Sequence, residues 1–131
     1  MRKIAAFICV VLLLAIAGCD EKKTEENNMA YQQVTAEEAQ EIMETEDDYV
    51  IVDVRTEEEY ESGHIPDAIC IPNEEIGDTE PEELPDKEQL ILVYCRSGNR
   101  SKQAAGKLAA LGYTSVVEFG GIQDWSGEIE E

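Results

Sequence analysis

Two stretches of the chain, Tyr49–Val54 and Leu90–Tyr94, are apolar at nearly every position and carry several β-branched residues. A strand with one solvated face alternates apolar and polar residues, whereas a strand covered on both faces stays apolar throughout. These two segments therefore read as buried strands. Shorter strands are predicted at Tyr31–Val34, Ala68–Ile71 (closed by Pro72) and Ser115–Phe119. Between them the pattern turns helical. Thr35 with Glu38, and Thr56 with Glu59, have the spacing of a capping box, predicting one helix to about Glu44 and a short one through Glu61 that Ser62-Gly63 ends. After the polar run Cys95–Arg100, Ala104, Ala105, Leu108 and Leu111 form one apolar helical face, with Gly112 as the stop. The acidic, proline-bearing segment Asn73–Asp86 is mostly loop with room for one helical turn, and Gly120-Gly121 turns the chain into a short helix around Trp125. Strands alternating with helices predict an α/β fold with a mostly parallel central sheet and helices on both faces. Sites in such sheets lie beyond the C-terminal ends of the strands. Cys95 stands at one of those ends.

The N-terminus follows a different rule. Arg2 and Lys3 precede an apolar run, Ile4–Ala17, too short to span a bilayer comfortably, and small residues then lead to Cys19. Ile16-Ala17-Gly18-Cys19 resembles the lipobox of bacterial lipoproteins, which implies removal of residues 1–18 and lipidation of Cys19. Residues 19–30 are then an acidic tether without apolar periodicity, and 31–131 the folded domain. The expected location is the extracytoplasmic side of a cell membrane, held by the N-terminal lipid.

Charge narrows the partners. Ten basic against thirty acidic side chains give a formal charge of −20, and losing Arg2 and Lys3 with the signal makes the remainder more acidic still. Nucleic acid is excluded as a partner of the general surface. Of the four cysteines, Cys9 leaves with the signal and Cys19 takes the lipid, so Cys70 and Cys95 remain in the domain. Neither their spacing nor the sequence around them decides whether they pair.

Chemistry concentrates in Cys95-Arg96-Ser97-Gly98-Asn99-Arg100-Ser101, a thiol at a strand end, a loop with one glycine and two arginines, and a helix start. Free N–H groups of the helix start and of a tight loop point at whatever occupies its centre, Gly98 permits the turn, and Arg96 and Arg100 add fixed positive charge. An ordinary cysteine is only about 3% thiolate at neutral pH. Two hydrogen bonds to a charged sulfur, at about 1.5–3 kcal/mol each, suffice to make the thiolate the main form. Cys95 is the candidate nucleophile, and Arg96, Ser97, Gly98, Asn99, Arg100 and Ser101 the candidate substrate-binding residues.

The loop and its flanking strand and helix resemble the active-site loop of single-domain rhodaneses. Val52-Asp53-Val54-Arg55, Gly63-His64-Ile65-Pro66-Asp67-Ala68 with Ile71-Pro72, and Gly120-Gly121 with Trp125 resemble that family's other motifs in the right order. Together they cover about Gln33 to Ser126. The resemblance implies a rhodanese-like fold and a thiosulfate sulfurtransferase-like activity. Cys95 would take sulfane sulfur from a small anionic donor and pass it, as a persulfide, to a thiol or cyanide-like acceptor. No cofactor and no metal is implied. Phosphatases and arsenate reductases of the same fold place five residues between cysteine and arginine, whereas four separate Cys95 from Arg100, a smaller ring that suits a single sulfur atom. Two alternatives remain, a non-catalytic binding module of this fold and a thiol redox protein using Cys70 and Cys95.

Other residues carry blander expectations. Asp53 and Arg55, at a second strand end, form a structural ion pair in support of the site. His64, the sole histidine, makes a structural hydrogen bond in its turn, and Trp125 packs at the C-terminus. Cys70 is a small residue on a short strand or, more pointedly, a resolving thiol for Cys95. Asp67 stands where a glycine is usual in the resembled turn.

Overall fold

The computed structural model describes residues 30–131. The expectations for the export signal, for lipidation at Cys19 and for all of the tether except Ala30 lie outside the described residues. Among the described residues no helix is long and apolar enough to cross a membrane.

Five strands form one wholly parallel sheet: β1 (Gln32–Gln33), β2 (Tyr49–Asp53), β3 (Ile69–Cys70), β4 (Leu90–Cys95) and β5 (Val116–Gly121), in the order β1-β5-β4-β2-β3. The two apolar runs become β2 and the central strand β4. The helices are α1 (Ala36–Thr45), α2 (Glu57–Ser62) and α3 (Asn99–Ala110), with 3-10 turns at Asn73–Glu75 and Ile122–Asp124. Both capping boxes form with both of their bonds, Thr35 with Glu38 and Thr56 with Glu59. Each satisfies amide groups that a helix start otherwise leaves unpaired.

Alternation along the strands sorts the core into two layers. Val52, Val54, Ile91, Val93, Cys95 and Val116 pack with Ala104, Ala105 and Leu108 of α3. Ile51, Leu92, Tyr94, Val117 and Phe119 pack on the other face with Ala36 and Ala39 of α1 and Tyr60 of α2. Side chains one apart on a strand face opposite ways, so Tyr94 belongs to one layer and Cys95 to the other.

Four expectations shift at the edges, and the first is that β5 runs on through Gly120-Gly121, expected as a turn after Phe119. The outer strands shrink to two residues each, each paired with a single neighbour. The expected helix around Trp125 is a 3-10 turn that ends at Asp124, and Trp125 instead lays its ring 6.0 Å from that of Phe119. α3 starts at Asn99, so Asn99 and Arg100 belong to its first turn and not to the loop. Gly98, with φ 108°, makes the left-handed turn that lets the helix begin there. Asp67 sits at φ 72°, a left-handed conformation that aspartate tolerates better than most side chains.

Asp53, fully buried at the end of β2, gathers the strand ends together. Its carboxylate accepts from Arg55 N (2.9 Å), Nε (3.0 Å) and Nη2 (2.7 Å), and from the Tyr94 hydroxyl (2.7 Å). Arg55 Nη2 also donates to Gly63 O (2.7 Å), and Ile65 N donates to Tyr94 Oη (3.1 Å), tying in the turn after α2. Burial and the adjacent Asp53 charge push the Tyr94 phenol far up. Removing one member of such a pair leaves a buried charge uncompensated, so Arg55→Met is expected to cost about 3–5 kcal/mol. Urea unfolding checks this, and a loss well below 1 kcal/mol would mean that Asp53 finds another partner.

Candidate active site

Cys95 ends β4 with 1% of its surface exposed. Gly98 N donates to its sulfur at 3.0 Å, and Ser101 Oγ lies 3.5 Å away. Burial by itself raises the thiol pKa. Hydrogen bonds from the Ser101 side chain and from the N–H groups of Ser101, Gly98 and Ser97 outweigh it, leaving the pKa below its ordinary value. The loop thus presents backbone and hydroxyl dipoles that favour a negative sulfur, fixed before any substrate arrives.

A close contact holds the loop in shape. The register between β4 and β5 runs Val93↔Glu118 and then Cys95↔Gly121, so β5 carries one extra residue, Gly120, at φ 91°. This bulge lets the chain wrap the loop: Gln123 N donates to Arg96 O (3.2 Å), and a Cβ on Gly121 would meet Arg96 O at 1.9 Å. Hence the two glycines differ in purpose. Gly120 is needed for its backbone angle, and Gly121 for its missing side chain.

The arginines part company. Arg96 is exposed and makes no ion pair among the described residues. Arg100 is engaged by Glu59 of α2, Nη1 to Oε1 at 2.8 Å and Nη2 to Oε2 at 3.1 Å, with about a third of each side chain exposed. Ser97 and Asn99 are exposed, while Gly98 and Ser101 are buried. Of the loop residues expected from the sequence, Ser97, Gly98 and Ser101 reach the Cys95 sulfur, Arg100 holds a counter-ion, and Arg96 and Asn99 are exposed.

Glu59 was legible only as a helix-capping residue, and its second role depends on how α2 meets α3. Glu118 also escaped notice, although an acid inside the apolar run Val116–Phe119 was a signal. It is 2% exposed, and its Oε2 accepts from Gly120 N (2.9 Å) and contacts Ser101 Oγ.

Asp53 and Arg55 pair as described, but on the sheet face opposite the thiol. His64 stacks on Tyr60 (3.9 Å between ring centroids), and its Nδ1 meets Tyr60 O at 2.9 Å. Its backbone pairs with Glu130. Cys70 lies on β3, with β2 between it and β4. Two strand spacings amount to about 9–10 Å between backbones, beyond the roughly 7 Å that a disulfide bridges. Burial, together with Asp53, Glu57 and Glu75, pushes the Cys70 thiol up to about 11, so it stays protonated at neutral pH. These facts weigh against direct pairing with Cys95. Among the described residues no cluster of three or more His, Cys, Asp or Glu is placed to hold a metal.

Arg100 hydrogen bonding leads the causes that hold Glu59 at about 2, against an ordinary value of 4.5. A folded-state value below the unfolded one gives stability that is present above the ordinary value and lost as pH falls toward about 2. The stability difference between wild type and Glu59→Gln is expected to shrink over that window in denaturant titrations. A difference independent of pH there would show that the ion pair contributes nothing.

Comparison with known proteins gives this geometry a family. The model of the Rhodanese-like domain matches residues 35–128. The thiosulfate sulfurtransferase PspE of Escherichia coli is 40% identical over 73 residues, 56% of this chain and 70% of that one. The thiosulfate sulfurtransferase GlpE of Pseudomonas syringae is 34% identical over 96 residues, 72% of this chain and 87% of that one. Among solved structures, a rhodanese with anions from E. coli superposes with a TM-score of 0.59 at 35% identity, covering 63% of this chain and 98% of that one. With the family model spanning nearly the whole of the sheet, this chain belongs to the rhodanese-like domain family.

Proposed function

We propose that the chain is a sulfurtransferase that carries sulfane sulfur as a persulfide on Cys95. The observation that carries this reading is the buried Cys95 sulfur inside a ring of backbone donors, with Gly98 N at 3.0 Å and a thiol pKa below the ordinary one. Relatives named thiosulfate sulfurtransferases and an anion-bearing rhodanese structure support it.

In the first half-reaction the Cys95 thiolate attacks the outer sulfur of thiosulfate or a similar donor. A new S–S bond forms to Cys95, the donor's own S–S bond breaks, and sulfite leaves with the electron pair. The terminal persulfide sulfur keeps the negative charge, which the loop N–H groups stabilise. In the second half-reaction a thiol or cyanide-like acceptor attacks that terminal sulfur. Cys95 then leaves as thiolate, ready for another cycle. The four-residue spacing to Arg100 leaves little room for a tetrahedral oxyanion inside the loop. The donor's sulfonate end therefore stays outside, near Arg96.

The lipobox-like segment ending at Cys19 supports placing this activity on the extracytoplasmic side of a membrane. A lipid there and the acidic residues that follow would hold the domain near the surface without embedding it.

Intact mass of the full-length protein after thiosulfate treatment tests the persulfide. A gain of one sulfur, about 32 Da, absent in Cys95→Ser and removed by cyanide, is expected. No adduct on reduced, folded protein would point to a binding module instead.

Arg100 supplies a second test. An ion pair with about a third of each side chain exposed is worth up to about 1 kcal/mol, so freeing Arg100 by Glu59→Gln is expected to lower the KM for thiosulfate by up to about fivefold. Arg100→Ala is expected to raise it. Unchanged steady-state constants in both variants would place Arg100 outside the donor's path.

A further inference from the structure

Glu118 has no part in the half-reactions above, yet it lies directly under the loop. No salt bridge joins it to a cation among the described residues. Burying a carboxylate without a counter-ion is costly, and it persists only where its hydrogen bonds compensate. Among the described residues its polar contacts, both at Oε2, are Gly120 N and Ser101 Oγ. Ser101 is itself fully buried, 3.5 Å from Cys95 Sγ, with Gly98 O at 3.0 Å and Gly120 O at 3.3 Å as further neighbours. Sulfur, hydroxyl and carboxylate thus form one continuous chain.

A serine hydroxyl has one proton to donate. If that proton points to Glu118, the Ser101 oxygen is left to accept from a Cys95 thiol. If it points to the sulfur and stabilises a thiolate, the Oγ–Oε2 contact needs a proton from Glu118. The two arrangements differ by one proton carried from one end of the chain to the other. We propose that Glu118, acting through the Ser101 hydroxyl, takes the Cys95 proton when the thiolate forms and returns it when Cys95 departs from the persulfide. The inference rests on Cys95 being the nucleophile of the proposed reaction.

The step balances. As the S–H bond breaks, its proton passes to Ser101 Oγ. The original hydroxyl proton passes to Glu118 Oε2, and the hydroxyl is restored pointing at the thiolate. The pair carries one negative charge before and after, so forming the nucleophile adds no second anion to a buried site. When an acceptor takes the terminal sulfur, the departing Cys95 thiolate regains its proton by the reverse path. Glu118 touches neither substrate nor sulfur and is a positioning residue for the Ser101 proton.

The groups facing the pair are few. α3 presents Ser101, and from Arg100 its charge lies near Cys95. β4 presents Val93 beside Glu118 and ends in Cys95 itself. Next to β1 stands Tyr31, whose phenol burial raises first and the Glu118 charge raises further. Gly120 contributes only its N–H.

Carbon-13 NMR titration of the reduced full-length Cys70→Ser protein, following the Cys95 Cβ and Glu118 Cδ signals, tests the sharing. In the shared-proton case Glu118 remains wholly or partly protonated after the first proton leaves the pair, and the Cys95 signal moves in that same lower step. Glu118→Gln and Ser101→Ala are each expected to leave Cys95 with a single inflection, the coupled step lost. The proposal is overturned if Glu118 completes its titration in the lower step while Cys95 ionises only in the upper one. The unsubstituted pair decides this even if a variant fails to fold. Because no sulfur donor is present, failure of persulfide formation would leave this readout intact.

Discussion

The Asp53 carboxylate is the constraint on which the rest of the molecule depends. It is fully buried at the end of β2 and held by Arg55 and by the hydroxyl of Tyr94, the residue just before Cys95. Because neighbouring side chains on a strand face opposite ways, fixing Tyr94 on one side of the sheet fixes Cys95 on the other. The same network reaches through Arg55 to Gly63 and through Tyr94 to Ile65, so the turn after α2 is set by it too. A buried ion pair of this kind costs desolvation energy. What it secures is the height and direction of the strand end from which the Cys95 loop departs.

Much of this was legible in the sequence because it rests on local rules. Two nearly continuous apolar runs placed the central strands, two Thr-x-x-Glu patterns placed helix starts to within a residue or so, and a cysteine at a strand end three residues before Gly98 marked the loop. What could not be read depends on elements meeting across the fold. Glu59 looked like a capping residue and is one, but it also holds Arg100, which requires knowing that α2 faces the start of α3. The bulge at Gly120 arises from pairing between β4 and β5, and a single strand does not announce its partner's register. The edge strands are shorter than their sequence suggests because a short segment does not say how far a neighbour will pair with it.

Charge is distributed with the same economy. Beyond residue 30 the chain has six Lys and Arg residues, three of them between Arg96 and Lys102. Arg55, Lys87 and Arg100 are each paired with an acid. Among the described residues, an anion approaching so acidic a surface meets positive side chains without an ion pair chiefly at the loop, on Arg96 and Lys102, both exposed. Inside the loop the stabilising partners are neutral dipoles, which favour a single negative sulfur without requiring a buried cation.

Strand order also governs how the molecule must be assembled. The central strand β4 is flanked by β2, which precedes it, and by β5, which arrives last, while β1 at the start of the domain pairs with β5 at its end. No partial chain growing from the N-terminus can close the sheet. A polypeptide that stops short of Val116 leaves one side of β4 bare, with the loop missing the Gly120-Gly121 clasp. Parallel pairings between distant segments are slow to form and prone to association while incomplete. Folding is therefore all-or-none for the Cys95 loop: until the final strand docks, the cysteine is present but the loop around it lacks its clasp.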